Sequence, residues 1–417
     1  MTYPITVNTV IDFSNGATFG IPFTIGDPIN GRLGISPLAD TSAGTLIVDV
    51  SNQVGKISIK TGYNLLQDQF EAGQATIRIY DQNGDWNPEN PSSPYAGKLL
   101  PNRKVRISAL YGSTTYYLFS GYTSAYNYTY PKDQELGYVE IQATDAFRLF
   151  NLSNIATVSG ATAGETTGAR IADILNQISF PATMRSLDAG NTTDQANPGS
   201  ARTALQALKN CEFSEQGAFY MSTEGQAVFK SRSNLQKMAG GTETYFSNAG
   251  DGIGYFNITT ALDDKLVINQ ANITPIGGTM QSASDATSVA TYFPHSMNQS
   301  SLVVQTDAEA LNIAKAYVAT RKDTSLRIDN LTLDLTTPDY SVGITAALGL
   351  DYFNVVKIKN VAQDSTYIEK TLEVVGVSHE ITPTDWRTSF TTSEPIIEAF
   401  IIGSPTWGII GQSVMTY

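Results

Sequence analysis

Phe70-Glu-Ala-Gly73-Gln-Ala-Thr-Ile-Arg-Ile-Tyr-Asp81-Gln-Asn-Gly84-Asp-Trp86-Asn-Pro88-Glu-Asn-Pro91-Ser-Ser-Pro94-Tyr95-Ala-Gly97-Lys-Leu-Leu-Pro101-Asn-Arg103-Lys-Val-Arg106-Ile reads as strand, braced loop, strand. Ala75 to Tyr80 alternates apolar and polar positions, as does Lys104 to Ser108. Successive strand side chains point to opposite faces, so each segment predicts a half-buried strand. Between them Pro88, Pro91, Pro94 and Pro101 fix φ and exclude helix, giving a stiff connection. The loop braces a subunit interface or merely crosses the end of its own sheet. Both readings stand at this stage.

The same period-two pattern recurs on either side. Lys56-Ile-Ser-Ile-Lys60 turns Ile57 and Ile59 inward, Thr45 to Val50 is apolar, and Thr115 to Tyr130 carries aromatics at many positions. From about 166 to 216 the period changes. Ile171, Ile174, Leu175 and Ile178 share one helical face, with Thr166 or Thr167 as cap and Pro181 beyond the end. A second helical pattern runs from Ser200, read as its N-cap, through Ala201, Ala204, Leu205 and Leu208. Strand signals return at Ala218 to Met221, Ala227 to Phe229 and Lys265 to Thr274. Thr306-Asp-Ala-Glu309 is a capping box opening a helix that ends near Arg321, followed by strands at 327–335, 354–359, 372–379 and 386–391.

This order predicts a mainly β chain with an α-containing insertion: a first tube-like β-domain over 1–155, an α+β inserted domain over 156–250, a second tube-like β-domain with one helix over 251–395, and an apolar tail over 396–417. The tail is broken by Gly403, Pro405, Gly408 and Gly411, so it cannot form one helix, and it lies against either its own domain or a neighbour.

The 417 residues allow about two to four domains and a real core. Charged residues are 16% of the chain against roughly 25% in an average soluble domain. The surface is therefore polar but largely uncharged. The net charge of −13 argues against a phosphate-gripping nucleic-acid binder. An acidic wall suits a channel that conducts DNA without trapping it. No apolar run of membrane-spanning length and no basic-then-apolar leader is expected to direct the chain elsewhere.

The chemistry-bearing residues form no recognisable constellation. Cys211 is the single cysteine, which excludes an intrachain disulfide. His295 and His379 sit in no metal-binding pair and beside no nucleophile elbow, and both read as core or turn histidines. Gly250-Asp-Gly252-Ile-Gly254 begins a dinucleotide fingerprint but lies in a polar loop. Asp81-Gln-Asn83-Gly-Asp85 imitates a calcium loop, yet its Gly comes early and Ser92 stands where a bidentate Glu is needed, so a turn is the better reading. We assign no catalytic, cofactor-binding or metal residue, and expect no cofactor and no enzymatic activity.

The 70–107 stretch resembles the N-terminal region of hub-type minor tail proteins of tailed bacteriophages, the baseplate or tail-tip hub family. There a strand leads into an acidic Gly turn, an aromatic, Asn-Pro, Ser-Pro-Tyr and a Pro-Gly-Arg-like turn. Here that turn reads Pro101-Asn102-Arg103, with Asn where Gly is usual, a mild departure because Asn tolerates the left-handed region. Weaker likeness extends through Leu118 to Tyr122, Tyr138 to Leu149, Thr167 to Ile178, Gly225 to Phe229, Asp285 to Ser288, the Thr306 helix and Val374 to Trp386.

The resemblance implies a virion protein made in the host cytoplasm, a structural hub that forms a homotrimer. In such a hub two tube-like domains per chain give a pseudo-sixfold ring joining the tail tube to a central spike or fibres. Expected partners are the distal tail or tail-tube protein, the tape-measure protein and the spike or fibres, with DNA passing through the ring during ejection past an inner wall where Asp and Glu outnumber Lys and Arg. Specific nucleic-acid binding and a membrane span are not expected. Two alternatives remain: a hexameric distal tail protein, and a host-glycan binding or depolymerase tail protein that stacks sugars on Trp86, Trp386 and Trp407.

Overall fold

A computed structural model of the chain describes residues 4–19, 47–130, 136–196, 199–336 and 341–395. The predicted tail at 396–417, with Trp407, lies outside the described residues, as does the Thr45–Leu46 start of the strand read at Thr45–Val50. The period-two segments become strands, except that the stretch read at Lys265 to Thr274 is a strand only from Gln270 onward. Strands β1 (Ile5–Asp12), β2 (Ile47–Asp49), β3 (Val54–Asn64), β4 (Gln69–Asp81), β5 (Lys104–Tyr111), β6 (Thr114–Thr129) and β7 (Gly137–Thr144) lie in the order β3-β4-β7-β6-β5-β1-β2, antiparallel throughout. Ile57, Ile59, Ile77, Ile79, Val105, Ile107, Val139 and Ile141 form the buried side of this array. Each such side chain taken from water stabilises the fold by about 1.5–3 kcal/mol before entropy is counted.

An α/β insertion follows, made of α1 (Phe147–Leu152), β8 (Asn154–Ile155), α2 (Thr167–Gln177), β9 (Arg185–Leu187), β10 (Arg202–Thr203), α3 (Ala204–Glu215), β11 (Ala218–Met221), β12 (Ala227–Lys230) and α4 (Arg232–Met238). Thr166 caps α2 as expected, its hydroxyl accepting from Ala169 N. The second helix starts later than the Ser200 reading. Its cap is Thr203, which accepts from Gln206 N, because Arg202 and Thr203 are held extended by pairing with Ile155 and Asn154. Phe147, Phe150, Ile171, Ile174, Leu175, Leu208, Phe219 and Phe229 share a core of their own.

The rest of the large sheet comes from β13 (Thr244–Ser247) and β14 (Asn257–Ala261) and, after a second excursion, from β18 (Arg327–Asp334), β19 (Val355–Val361), β20 (Tyr367–Ile381) and β21 (Trp386–Ser393). Thr244–Ser247, assigned by sequence to the inserted part, is thus a strand of this sheet, parallel to β19. The excursion comprises β15 (Gln270–Pro275), β16 (Gln281–Ser284), α5 (Ala286–Tyr292), β17 (Ser296–Leu302) and α6 (Asp307–Arg321). These strands form a separate three-stranded sheet, and Ala310, Ile313, Ala314 and Val318 of α6 pack on Ala271, Ile273 and Leu302. The capping box is present as read, and the helix ends at Arg321.

Residues 251–395 therefore hold α5, α6 and, between β18 and β19, α7 (Ser341–Gly349), where the sequence reading expected one helix. The α5 segment is a single short stretch, and Ser341-Val-Gly-Ile-Thr-Ala-Ala-Leu-Gly349 has no polar stripe to announce it.

Candidate functional site

The two halves of the large sheet are joined by one strand pairing. Gly376 to Ile381 of β20 run antiparallel to Ile57 to Gly62 of β3, so thirteen strands become one sheet. On the far side of the joint β20 continues as the partner of β19, from Glu373 to Tyr367. The changeover falls at Gly62 and Gly376, where β3 and β20 both carry register shifts. Gly62 has φ +131°, and a Cβ there would lie 2.3 Å from the Gly376 Cα. Only glycine permits so close a backbone approach.

Across this joint the solvent face of the sheet is continuous. One rung reads Asp334, Arg387, Glu380, Ser58, Thr76, Gln142 and the next Asn257, Thr332, Ser389, Ser378, Lys60, Gln74, Thr144. A third reads Lys56, Arg78, Glu140, Asn127. The rungs lie on one face because side chains two apart along a strand point the same way. Neutral hydrogen-bonding groups dominate, with the Thr332 and Ser389 hydroxyls 2.8 Å apart. Two ion pairs stand among them: Lys56 Nζ lies 3.0 Å from Glu380 Oε2 and Arg78 Nη2 lies 2.6 Å from Glu140 Oε1.

The proline-rich loop is organised around a buried tryptophan. Trp86 is fully buried, its Nε1 donates to Gln53 Oε1 at 3.1 Å, and its ring meets those of Tyr95 and Phe13 at 4.6 and 6.5 Å. The Asp81 carboxylate accepts from Asp85 N at 2.9 Å and Trp86 N at 3.0 Å, so it closes a turn. Asn102 has φ +62°, the left-handed conformation its place in the Pro101-Asn102-Arg103 turn requires.

Trp386 is likewise fully buried, donating from Nε1 to His379 Nδ1 at 3.4 Å. His379 Nδ1 also lies 2.9 Å from Thr388 Oγ1, and burial depresses this imidazole to about 4. It is a neutral core histidine at physiological pH. His295 Nε2 lies 3.0 Å from the Tyr292 carbonyl in the second excursion, and Cys211 is buried, its thiol pushed up by burial. Neither tryptophan offers a face to a sugar. Of these residues singled out from the sequence the structure brings together only Trp386 and His379, inside the core. Among the described residues no group of three or more His, Cys, Asp or Glu side chains is placed to hold a metal.

Sequence reasoning missed the buried carboxylates at the joints, because nothing local marks them. Asp68, in the β3–β4 turn at φ +55°, holds Arg321 of α6 at 2.6 Å and accepts from Tyr63 Oη at 2.6 Å. Burial opposes ionisation there, but the Arg321 guanidinium prevails and the carboxyl sits below its usual range. Asp145, pushed up to about 7 by burial, accepts from Gly73 N at 2.6 Å and Phe147 N at 2.9 Å. It borders a cavity of water-molecule size beside Thr61, Ser120 and Tyr352. Glu215 gathers Thr167 Oγ1, Asn191 N and Thr192 N, which ties the 188–192 turn to α2 and α3. Asp194 has zero exposure, neither carboxylate oxygen has a hydrogen-bond partner, and burial pushes it up to about 8.

No family model and no curated protein sequence matches the chain. Solved structures do. The tail protein from Neisseria meningitidis MC58 superposes with a TM-score of 0.57 over 94% of this chain and 97% of that one, at 10% sequence identity. This is a phage tail-protein fold. The 43 kDa tail protein of prophage MuSo2 from Shewanella oneidensis is also similar, with a TM-score of 0.53 over 84% of this chain and 95% of that one, at 12% identity. The likeness runs through nearly the full length of both tail proteins, so the large sheet and its insertions belong to one shared architecture. At such low identity the shared feature is the arrangement of elements, which is the level at which period-two strands and glycine joints are specified.

Proposed function

We propose that the chain is a structural hub of a phage tail tip, a ring-forming adaptor between tail tube and spike or fibres, and not an enzyme. The observation that carries this reading is the β3–β20 pairing, which sets two β-halves side by side in one rigid sheet. A chain that supplies two such units closes a six-unit ring with three copies, which matches sixfold symmetry on one side to threefold symmetry on the other. The proline-rich loop, fixed by Trp86, is rigid enough to brace a neighbouring subunit. In the ring the continuous polar face lines the channel, and DNA passes over it. The non-enzymatic reading is supported by the two histidines, one sealed in the core and the other bound to a carbonyl.

Native mass measurement of the purified full chain tests the assembly. A species of three times the 44.9 kDa chain mass is expected. Six copies would indicate a distal tail ring, and a monomer at micromolar concentration would count against a self-closing hub.

A further inference from the structure

We propose that the polar face across the β3–β20 joint is built to let double-stranded DNA slide past without holding it, because three of its four cations, Lys56, Arg78 and Arg387, lie against acids fixed on the same face, leaving Lys60 as the one cation of this face unpaired among the described residues. This rests on the ring reading above. The expectation of an acid-dominated wall does not describe this face: its three rungs carry Lys56, Lys60, Arg78 and Arg387 against Glu140, Glu380 and Asp334. The acidic excess of the chain lies elsewhere. Left to themselves, these cations would grip phosphate, since each lysine or arginine that neutralises a phosphate releases counterions and adds affinity.

The geometry prevents this. Arg78 is held by Glu140 through both Nε (3.1 Å) and Nη2 (2.6 Å), and its guanidinium also covers the Tyr138 ring at 4.6 Å. Lys56 is held by Glu380, whose other oxygen accepts from Ser58, so the acid is anchored as well. Arg387 has Asp385 at 3.9 Å and stacks over Phe256 at 4.9 Å. Glu380 reaches Lys56 and Ser58 from the opposite half of the molecule, so this pair exists only where the halves are joined, whereas Arg78–Glu140 lies within one half. Exposed pairs of this kind add little to stability. Their effect is on the field: a charge pair 3 Å apart presents a dipole, whose attraction for a passing phosphate decays faster than that of a lone cation. Apart from Lys60 and Asp334, the remaining positions are Ser, Thr, Asn and Gln, which exchange hydrogen bonds with water and hold no phosphate firmly.

The test is fluorescence anisotropy of a labelled random-sequence DNA duplex with the purified full chain. Wild type is compared with the double variant Glu140→Gln/Glu380→Gln and with a control, Glu89→Gln/Asp323→Asn, which removes the same net charge from exposed sites off the face. Circular dichroism and native mass check fold and assembly separately, so loss of the ring reading is seen independently of the DNA result. The double variant should bind at least tenfold tighter at low salt, with a log–log salt slope steeper by about two, one per freed cation. The control should match wild type. Equal affinities for the double variant and the control would overturn the proposal, whatever the oligomeric state.

Discussion

Replacing Asp194 with Asn isolates the cost of a buried acid at the joint between the two insertions. Asp194 bridges Val304, and the adjacent Gln195 binds the Val303 carbonyl at 2.7 Å, so the carboxyl sits where the first insertion holds the second. Its proton affinity is raised to about 8 from the ordinary 3.8. The unfolded chain therefore releases this proton near pH 4 while the folded chain keeps it. The group's stabilising contribution is complete below about pH 4 and is lost progressively as pH rises to about 8. Each unit in that window costs about 1.4 kcal/mol. Asn has nearly the same shape and no proton to lose, so its effect is independent of pH. Between pH 5 and pH 8 the wild-type joint should weaken by about 2–4 kcal/mol relative to Asp194→Asn. Hydrogen exchange at the amides of Gln195 and Val303 reads this locally, which matters because a chain with several cores need not unfold in one step. A wild-type to variant difference that is equal at both pH values would refute the assignment of a neutral, orphaned carboxyl.

Other expectations follow from single contacts. Trp86→Ala should cost about 3–5 kcal/mol in urea unfolding and open the 82–103 loop to protease, while Trp86→Phe, which keeps a ring against Tyr95, should cost about half as much. Gly62→Ala places a Cβ 2.3 Å from Gly376 Cα and should leave little soluble protein, whereas Ala at Gly97, where a Cβ meets nothing within 4 Å, should cost only the strain of its positive φ. Asp68→Asn removes the charge that holds Arg321, and should raise exchange in α6 and the second excursion while leaving the large sheet protected.

What the sequence disclosed and what it hid divide along physical lines. Short-range periodicity and caps were legible: Ile57/Ile59 and Ile77/Ile79 are inward as read, and Thr306 with Glu309 makes the predicted box. Partner choice was not. The strand at 270–275 carries the same alternation as the large sheet, yet it pairs instead with 281–284 and 296–302, because period two fixes which face is buried and not which strand lies alongside. The β3–β20 joint couples residues as far apart as Ser58 and Glu380, 322 positions along the chain, and no local pattern announces it. Ser200 and Thr203 are both competent caps, and only the pairing of Arg202–Thr203 with Asn154–Ile155 decides between them. The same limit explains the tryptophans. An aromatic in a proline-rich loop reads equally as a sugar platform or as a packing anchor, and burial alone assigns Trp86 to the second.

Electron cryo-microscopy of assembled tail tips containing this chain bears most directly on the hub reading. Three copies should close the ring, with the β3–β20 joint repeated three times and Lys60, Gln74 and Ser378 facing the channel. Six copies, or this face turned outward or packed against another protein, would contradict it.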